Sequence, residues 1–477
     1  MLALMLAAAL AWSATVTDRV EIDSDGAFDE YEVIPAGEHG LVLIAESPSG
    51  EMSFTGYDQE FNERWTAFVD LPRAMVRFDV EVIDGALVLG MHERRDADLV
   101  LLHVDLSSGV VRELRLRMPY GPTRMTDLAI DGMDVYAAGR GRRRAVLVHH
   151  RLGTQTVGDL DTGRGIEVER LAVRATGGVD AVVTRTRKKH REVELLQIDD
   201  GAVQSRLMLD GGDGLNLLTA QRKPLEDGAD LIVGTYALGR RGTGSQGVYV
   251  ARFQGAEPEF VRTHSFTEFD NFFDYFKDKK QARVEARAQR LRDQGRDLAL
   301  DYQLLVHDLI ERDGDTLLVA EAFYPVYTTY TVPQTVIVNG VPTTTFVTHT
   351  VFVGWRFTHA VVAGLGANGD LLWDHSFPIQ DVLSRRLDKQ VRVTQADGRV
   401  SLLYTHESVV YSKVVDGNEV TRADSEAETV GAGEKVKNDW ATDSAWWFDQ
   451  TFVVWGVQKV KGEDGKRKVF WFAKASP

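Results

Sequence analysis

The 477-residue chain contains no cysteine. Disulfides, thiolate metal sites, a cysteine nucleophile and a lipid-modified cysteine anchor are therefore excluded. Past the N-terminus no segment reaches about 18 uninterrupted apolar residues, the length a membrane-spanning helix needs, so the mature chain is expected to be soluble. There is no G-x-S-x-G elbow, H-E-x-x-H pair or Walker A loop, which removes the nucleophile, zinc and phosphate-loop chemistries that those spacings support. Positive charge is also in short supply. Against 71 Asp+Glu stand 55 Lys+Arg, a formal charge of -16, which argues against broad nucleic-acid binding unless the cations gather on one face.

What is present is an ordinary globular composition, 44% apolar and 26% charged, enough to bury a large core. Leu2 to Trp12 form a short apolar run followed by Ser13, Ala14 and polar sequence. The run reads as the hydrophobic region of a signal peptide over residues 1–14, with Ala11-Trp12-Ser13 as its small-x-small cleavage site. A buried first strand or an anchor is the alternative. Export without cysteine points to a bacterial periplasm, outer surface or exterior.

Short runs rich in Val, Leu, Ile and Tyr recur between Gly-containing turns, the pattern of many short antiparallel strands. The clearest begin near Leu41, Leu87, Val135, Ala181, Leu231, Leu317, Leu402 and Val453, about 46 to 51 residues apart except for two intervals of about 85. That period, with four strands per unit, predicts an all-β fold, a β-propeller of about eight four-stranded blades, with seven as the alternative. Residues 15–477 then form one propeller, and both long intervals hold insertions. In the first, residues 267–297, Phe269, Phe272, Phe273 and Phe276 fall at i, i+3, i+4 and i+7, an apolar helical stripe, and the densely charged run Lys277 to Arg296 after it reads as a solvated helix. Thr267 and Asp270 resemble a capping box. In the second, residues 327–355, Asn339-Gly340 between Val-rich runs predicts a long β-hairpin arm. The last unit, Trp446 to Ala475, lacks a strand that Val16 to Ile22 can supply, removing two open edges.

Loops joining second to third strands carry Arg94 and Arg95; Arg140 with Arg142, Arg143 and Arg144; Arg187, Lys188 and Lys189; and Arg240 and Arg241. The other turns are repeatedly Asp-Gly, as at Asp84-Gly85 and Asp397-Gly398. One reading is a basic face that attracts an anionic partner; the other is that Arg solubilises loops and Asp-Gly makes tight hairpins. Tyr324, Tyr327, Tyr330, Phe352 and Trp355 flank the arm, either packing its base or offering a contact surface.

The stretch Asp313 to Pro325, with Gly369-Asp-Leu-Leu-Trp373 and Phe357-Thr-His-Ala360, resembles uncharacterised exported bacterial proteins with WD40-like or quinoprotein-like propeller repeats. The resemblance covers mainly the C-terminal third. It implies a fold, an envelope location and blade-docking roles for Trp373 and Trp65, with no assigned activity. No quinone-binding constellation maps onto the chain, and no cofactor is expected.

Two G-x-G-x-x-G matches, Gly364–Gly369 and Gly242–Gly247, are each followed by a strand where a dinucleotide site needs a helix, so both read as turns. Asp23 to Glu30 gathers carboxylates, yet its Gly sits too early for an EF-hand; it reads as a polar turn rather than a calcium site. His307, Asp308, Glu321 and His359 are the best metal or acid/base cluster, but a one-residue register slip would separate them. Hydrogen-bonded structural histidines are expected there, with no metal and no catalytic residue assigned. The first functional expectation is a non-enzymatic propeller binding a protein or anionic envelope polymer through the basic face and insertions. The alternatives are a hydrolase or lyase on an anionic polysaccharide, which would show convergent carboxylates of perturbed pKa, and a structural assembly scaffold, which would show an apolar patch on the arm.

Overall fold

A computed structural model of the chain describes residues 14–477 except 25, 27, 73–74, 94–97, 119–122, 142–144, 155–156, 161–165, 188–189, 210, 212–213, 240–243, 256, 295–297, 299, 301, 313, 339–340, 431–434 and 463–464. The predicted signal peptide lies outside the described residues. The chain divides into two compact units, one comprising residues up to 220, 239–241 and 392–477, the other residues 221–238 and 242–391.

Most of the described residues are strand, and the strands fall into eight antiparallel sheets. In the larger unit the first sheet runs Glu30–Pro35, Leu41–Glu46, Glu51–Tyr57 and Glu63–Asp70, each strand pairing with the next. The second, Met75–Ile83 to Val111–Arg117, the third, Arg124–Asp131 to Val157–Asp159, and the fourth, Ile166–Val173 to Ala202–Leu209, repeat that order, as does Arg392–Ala396 to Glu419–Glu428. The final sheet contains Lys435–Phe448, Thr451–Gly462 and Gly465–Ser476, and Thr15–Asp23 is its fourth strand, paired with Gly465–Ser476 from Thr15↔Ser476 to Asp23↔Val469. This serial four-stranded meander, completed by a strand from the other end of the chain, is the β-propeller arrangement.

The sequence explains which strands sit where. Leu41 to Ala45 and Ala86 to His92 are buried throughout because neighbouring sheets cover both faces, so these strands read as continuous apolar runs rather than alternating ones. Fourth strands such as Glu63–Asp70 alternate exposed and half-buried positions. Val42, Ile44 and Phe54 of the first sheet pack on Leu87, Leu89, Val100 and Leu102 of the second. Each such side chain contributes about 1.5–3 kcal/mol on burial. Asp84-Gly85, Asp200-Gly201 and Asp397-Gly398 have positive φ at both residues, the geometry that two-residue hairpins require.

Trp65 has the docking role expected of it. Its indole N–H donates to the Leu106 carbonyl of the second sheet at 2.9 Å. A Cβ on Gly109, at φ 71°, would come within 2.5 Å of its ring, so that turn admits only glycine. Trp373 lies across Gly364 of the adjacent strand.

The smaller unit contains the sheet Gln221–Pro224, Asp230–Leu238, Gly247–Gln254 and Glu257–Ser265, and a second sheet built on two long strands, Asp315–Val338 and Val341–Leu365. Between these sheets the charged run expected to be a solvated helix is one, while the helix expected of the phenylalanine stripe needs correction. The helix is Asp278–Arg292, and Phe269 to Phe276 precede it in turn conformation. The capping box is absent as well: Lys277 is the N-cap, while the Thr267 and Ser265 hydroxyls bond each other at 3.0 Å. The physical reason is that the phenylalanines serve the core rather than the helix. Phe269, Phe272 and Phe273 are buried among Phe266, Val361 and Leu304, and the Asp374 carboxylate fixes the turn by accepting the Asp270 and Asn271 backbone N–H groups at 2.7 and 2.8 Å.

Candidate binding surface

The cation-bearing loops occupy the positions expected of them, between the second and third strands of their sheets. Arg94, Arg95, Arg142, Arg143, Arg144, Lys188, Lys189, Arg240 and Arg241 themselves lie outside the described residues, as does the Arg187 side chain. Described neighbours are already neutralised. Arg140 pairs with Glu167 at 3.0 Å, Arg117 with Asp98 at 3.0 Å and Arg191 with Glu169 at 2.7 Å.

The hairpin arm is the same kind of loop, grown long. Its strands continue the two core strands without a break and stay in register from Tyr327↔Phe352 to Val338↔Val341, around the turn residues Asn339 and Gly340, which lie outside the described residues. Beyond a bulge at Val326/Tyr327 the two strands pair only with each other among the described residues. From Ala322 to Trp355 there is no Asp, Glu, Lys or Arg, in a chain that is 26% charged. Instead the arm displays Tyr324, Tyr327, Tyr330 and Phe352, all exposed, with Trp355 half-buried at its root in edge contact with Phe323 and Phe352. The sequence reading overlooked Phe346, which at 72% exposure is the most open large apolar side chain among the arm's described residues, and His349, stacked on Tyr330. Counting pairs outward from Asn339-Gly340 would have found both, because that turn fixes Pro333 opposite Phe346 and Tyr330 opposite His349.

The histidine and carboxylate candidates are split by register, the hazard foreseen for them. His359 pairs with Ala322, so its side chain and that of Glu321 point to opposite faces. On one face Glu321, wholly buried, bonds His307 at 2.7 Å and accepts the Gln390 and Val391 N–H groups at 2.8 and 3.1 Å. On the other, His359 bonds the Thr358 hydroxyl at 2.9 Å and stacks on Tyr275 at 4.0 Å. Burial lowers its pKa to about 3, so the ring is neutral. Asp308 is exposed. No group of three or more His, Asp or Glu suited to a metal occurs among the described residues.

A convergent carboxyl pair exists elsewhere and was missed. Asp79 and Asp127 sit just after bulges in the first strands of the second and third sheets. Desolvation, and then the Asp79 charge, push Asp127 up to about 8, and desolvation raises Asp79 too. All four oxygens are occupied: Asp79 accepts the Val80 and Leu128 N–H groups, and Asp127 those of Leu128 and Leu171. The pair staples consecutive sheets through these backbone N–H groups.

No known family profile matches the chain, and no curated protein matches it. Among solved structures it is similar to the polysaccharide lyase Uly1 (10% identity, TM-score 0.42, 84% of this chain and 89% of that one). It is also similar to the WD40 domain of SCAP from fission yeast (7%, 0.42, 96% and 94%) and to the β-propeller domain of Nup133 from Vanderwaltozyma polyspora (8%, 0.39, 81% and 91%). The fold assignment rests on the strand order, and these likenesses add no chemistry to it.

Proposed function

We propose that the protein is a non-enzymatic β-propeller that binds a partner protein or an anionic envelope polymer, with the hairpin arm as its principal contact and the cationic second-to-third-strand loops as electrostatic guides. The observation that carries this reading is the arm: an uncharged, two-stranded ladder with Tyr327, Tyr330, Phe346 and Phe352 exposed along it. Rigid aromatic side chains supply contact area at low entropic cost, and a propeller offers a stable platform on which loops carry function. The N-terminal apolar run supports export, which would bring such a platform to envelope partners. A hydrolase or lyase needs a carboxyl pair held for acid and base work; each oxygen of Asp79 and Asp127 instead holds a backbone N–H, a structural use.

The test uses two variants. One replaces Thr328 to Val353 with a short Gly-containing turn; the other substitutes Ser for Arg142, Arg143, Arg144, Arg187, Lys188 and Lys189. Capture from an envelope extract at low and high salt should lose the specific partner in the first variant. In the second, association should slow and its salt dependence shrink. Unchanged capture by the arm-replaced protein would overturn the reading.

A further inference from the structure

The helix Asp278–Arg292 carries the cations Lys279, Lys280, Arg283, Arg287, Arg290 and Arg292 against two acids, Asp278 and Glu285. At 3.6 residues per turn the first five cations fall within about 100° of its circumference, and all five are exposed. Buried Ala288, with half-buried Val284 and Leu291, forms the adjoining stripe, and Val284 packs on the core of the unit. Both acids lie beyond that stripe, on the other flank. A charged helix that needs only water intersperses the two signs, so that neighbours three and four apart attract. Here neither acid has a cation of the helix at those spacings, whereas Lys279/Arg283, Arg283/Arg287, Lys280/Arg283 and Arg287/Arg290 are like-charged neighbours that repel. None of the five has a carboxylate partner among the described residues: Lys280 lies over the Phe276 ring at 3.8 Å, and Arg290 donates to the Ala286 carbonyl at 3.1 Å. A chain of charge -16 thus keeps an unneutralised cationic ridge, roughly 16 Å long from Lys279 to Arg290 at ~1.5 Å per residue.

An occupant of this ridge is anionic, and the surroundings narrow its class. The apolar stripe of the helix faces its own core, which leaves none to enter a lipid surface. No apolar side chain lies among the five cations, as the buried centre of a protein–protein interface requires. The N-terminal end of the ridge instead adjoins aromatic rings. Phe276 lies under Lys280. Burial, and then Tyr302 and Tyr324, raise the Tyr275 pKa, which puts exposed Tyr324 of the arm root beside the turn leading into the helix. Aromatic faces pack on the C–H face of a sugar ring, and Arg forks bind carboxylates through paired hydrogen bonds.

We infer that the ridge binds a linear acidic polysaccharide, its carboxylates along Lys279, Arg283, Arg287 and Arg290 and its sugar rings reaching Tyr324 at the arm root. This deepens the reading of the protein as an exported binding platform, and rests on it for the choice of a polysaccharide over a nucleic acid. Labelled polygalacturonate, a uronate polymer, should bind the full chain in fluorescence anisotropy, more weakly as salt rises, while neutral dextran should not bind. Arg283→Gln/Arg287→Gln, which keeps good helix formers, should raise Kd by about tenfold or more, and Tyr324→Ala by about threefold. Arg64→Gln/Arg112→Gln, an equal charge change at exposed positions elsewhere, should change it by less than about twofold. Circular dichroism of each variant confirms that the fold is kept. Equal weakening by the two double variants, an unaltered Kd in Tyr324→Ala, or tighter binding of oligothymidylate or polyglutamate than of polygalacturonate overturns the inference. So does a wild-type chain that fails to bind polygalacturonate at low salt; if that chain still captures an envelope partner through its arm, the proposed function stands without the ridge. Capture that ignores the arm replacement, with polygalacturonate still lost in Arg283→Gln/Arg287→Gln, removes the arm as principal contact and leaves the ridge.

Discussion

Asp127 keeps a proton that an unfolded chain would release, and this makes the carboxyl pair a measurable feature of stability. Its folded pKa of about 8 lies above the ordinary value. Below about pH 4 both states are protonated, and between there and pH 8 only the folded state holds the proton, so this contribution falls as pH rises and is gone above about 8. Asp374, raised to about 6 by desolvation, acts in the same sense over a lower window. His359 acts oppositely: with its pKa lowered to about 3, its contribution is present above about 6.5 and lost as pH falls towards 3. The interval from pH 7 to 9 therefore isolates the carboxyl pair among these three. The urea midpoint of the wild type should drop across that interval by the equivalent of about 1 kcal/mol, and Asp127→Asn, which retains an oxygen for the Leu171 N–H, should flatten the drop. A wild-type midpoint that is constant or rises from pH 7 to 9 would refute the assignment. Asp79 and Asp127 stand one repeat apart in the sequence, yet nothing in it revealed that each accepts an N–H from the following sheet.

The aromatic turn and the arm illustrate two ways an element relates to its sequence. Phe269, Phe272, Phe273 and Phe276 have helical spacing, but a 3.6-residue period records only which residues need burial when a core is already waiting for them. Phe272 is wholly buried, stacked on Phe266 at 4.3 Å and in edge contact with Phe273, Tyr302 and His359. Phe272→Ala should cost about 3–5 kcal/mol and make the Asp278–Arg292 helix sensitive to limited proteolysis; retained resistance would show that the helix is held by other contacts. The arm is the opposite case, because its described residues are largely exposed and none of them belongs to a described core cluster. Replacing Thr328 to Val353 should shift the thermal midpoint by no more than a few degrees, corresponding to about 1 kcal/mol or less, and global unfolding of that variant would place the arm in the core.

At the scale of the molecule, the strand Thr15–Asp23 joins one end of the chain to the other. Arg19 anchors it, donating to the Gln458 side chain at 2.8 Å and to the Thr429 carbonyl while lying over the Trp471 ring at 4.7 Å. Deleting residues 1–23 should leave the Gly465–Ser476 strand as an open apolar edge, lower the unfolding midpoint and promote aggregation. A deletion mutant that unfolds at the wild-type temperature, measured by calorimetry, would show that this closure is dispensable.

The repeat of about 46 to 51 residues, the Asp-Gly hairpins, the arm around Asn339-Gly340 and the completing strand were legible from residue order alone, because hairpin pairing is local and a sheet buried on both faces demands continuous apolar runs. The exposure of Tyr327 and Phe352 was one of two readings the sequence allowed, and only the solvated ladder chose it. The separation of Glu321 from His359, the stapling by Asp79 and Asp127 and the displacement of the Phe269–Phe276 turn from the helix were decided in three dimensions. Each depends on which side of a strand faces which neighbour, and one residue of register or one bulge reverses that while leaving composition and period unchanged.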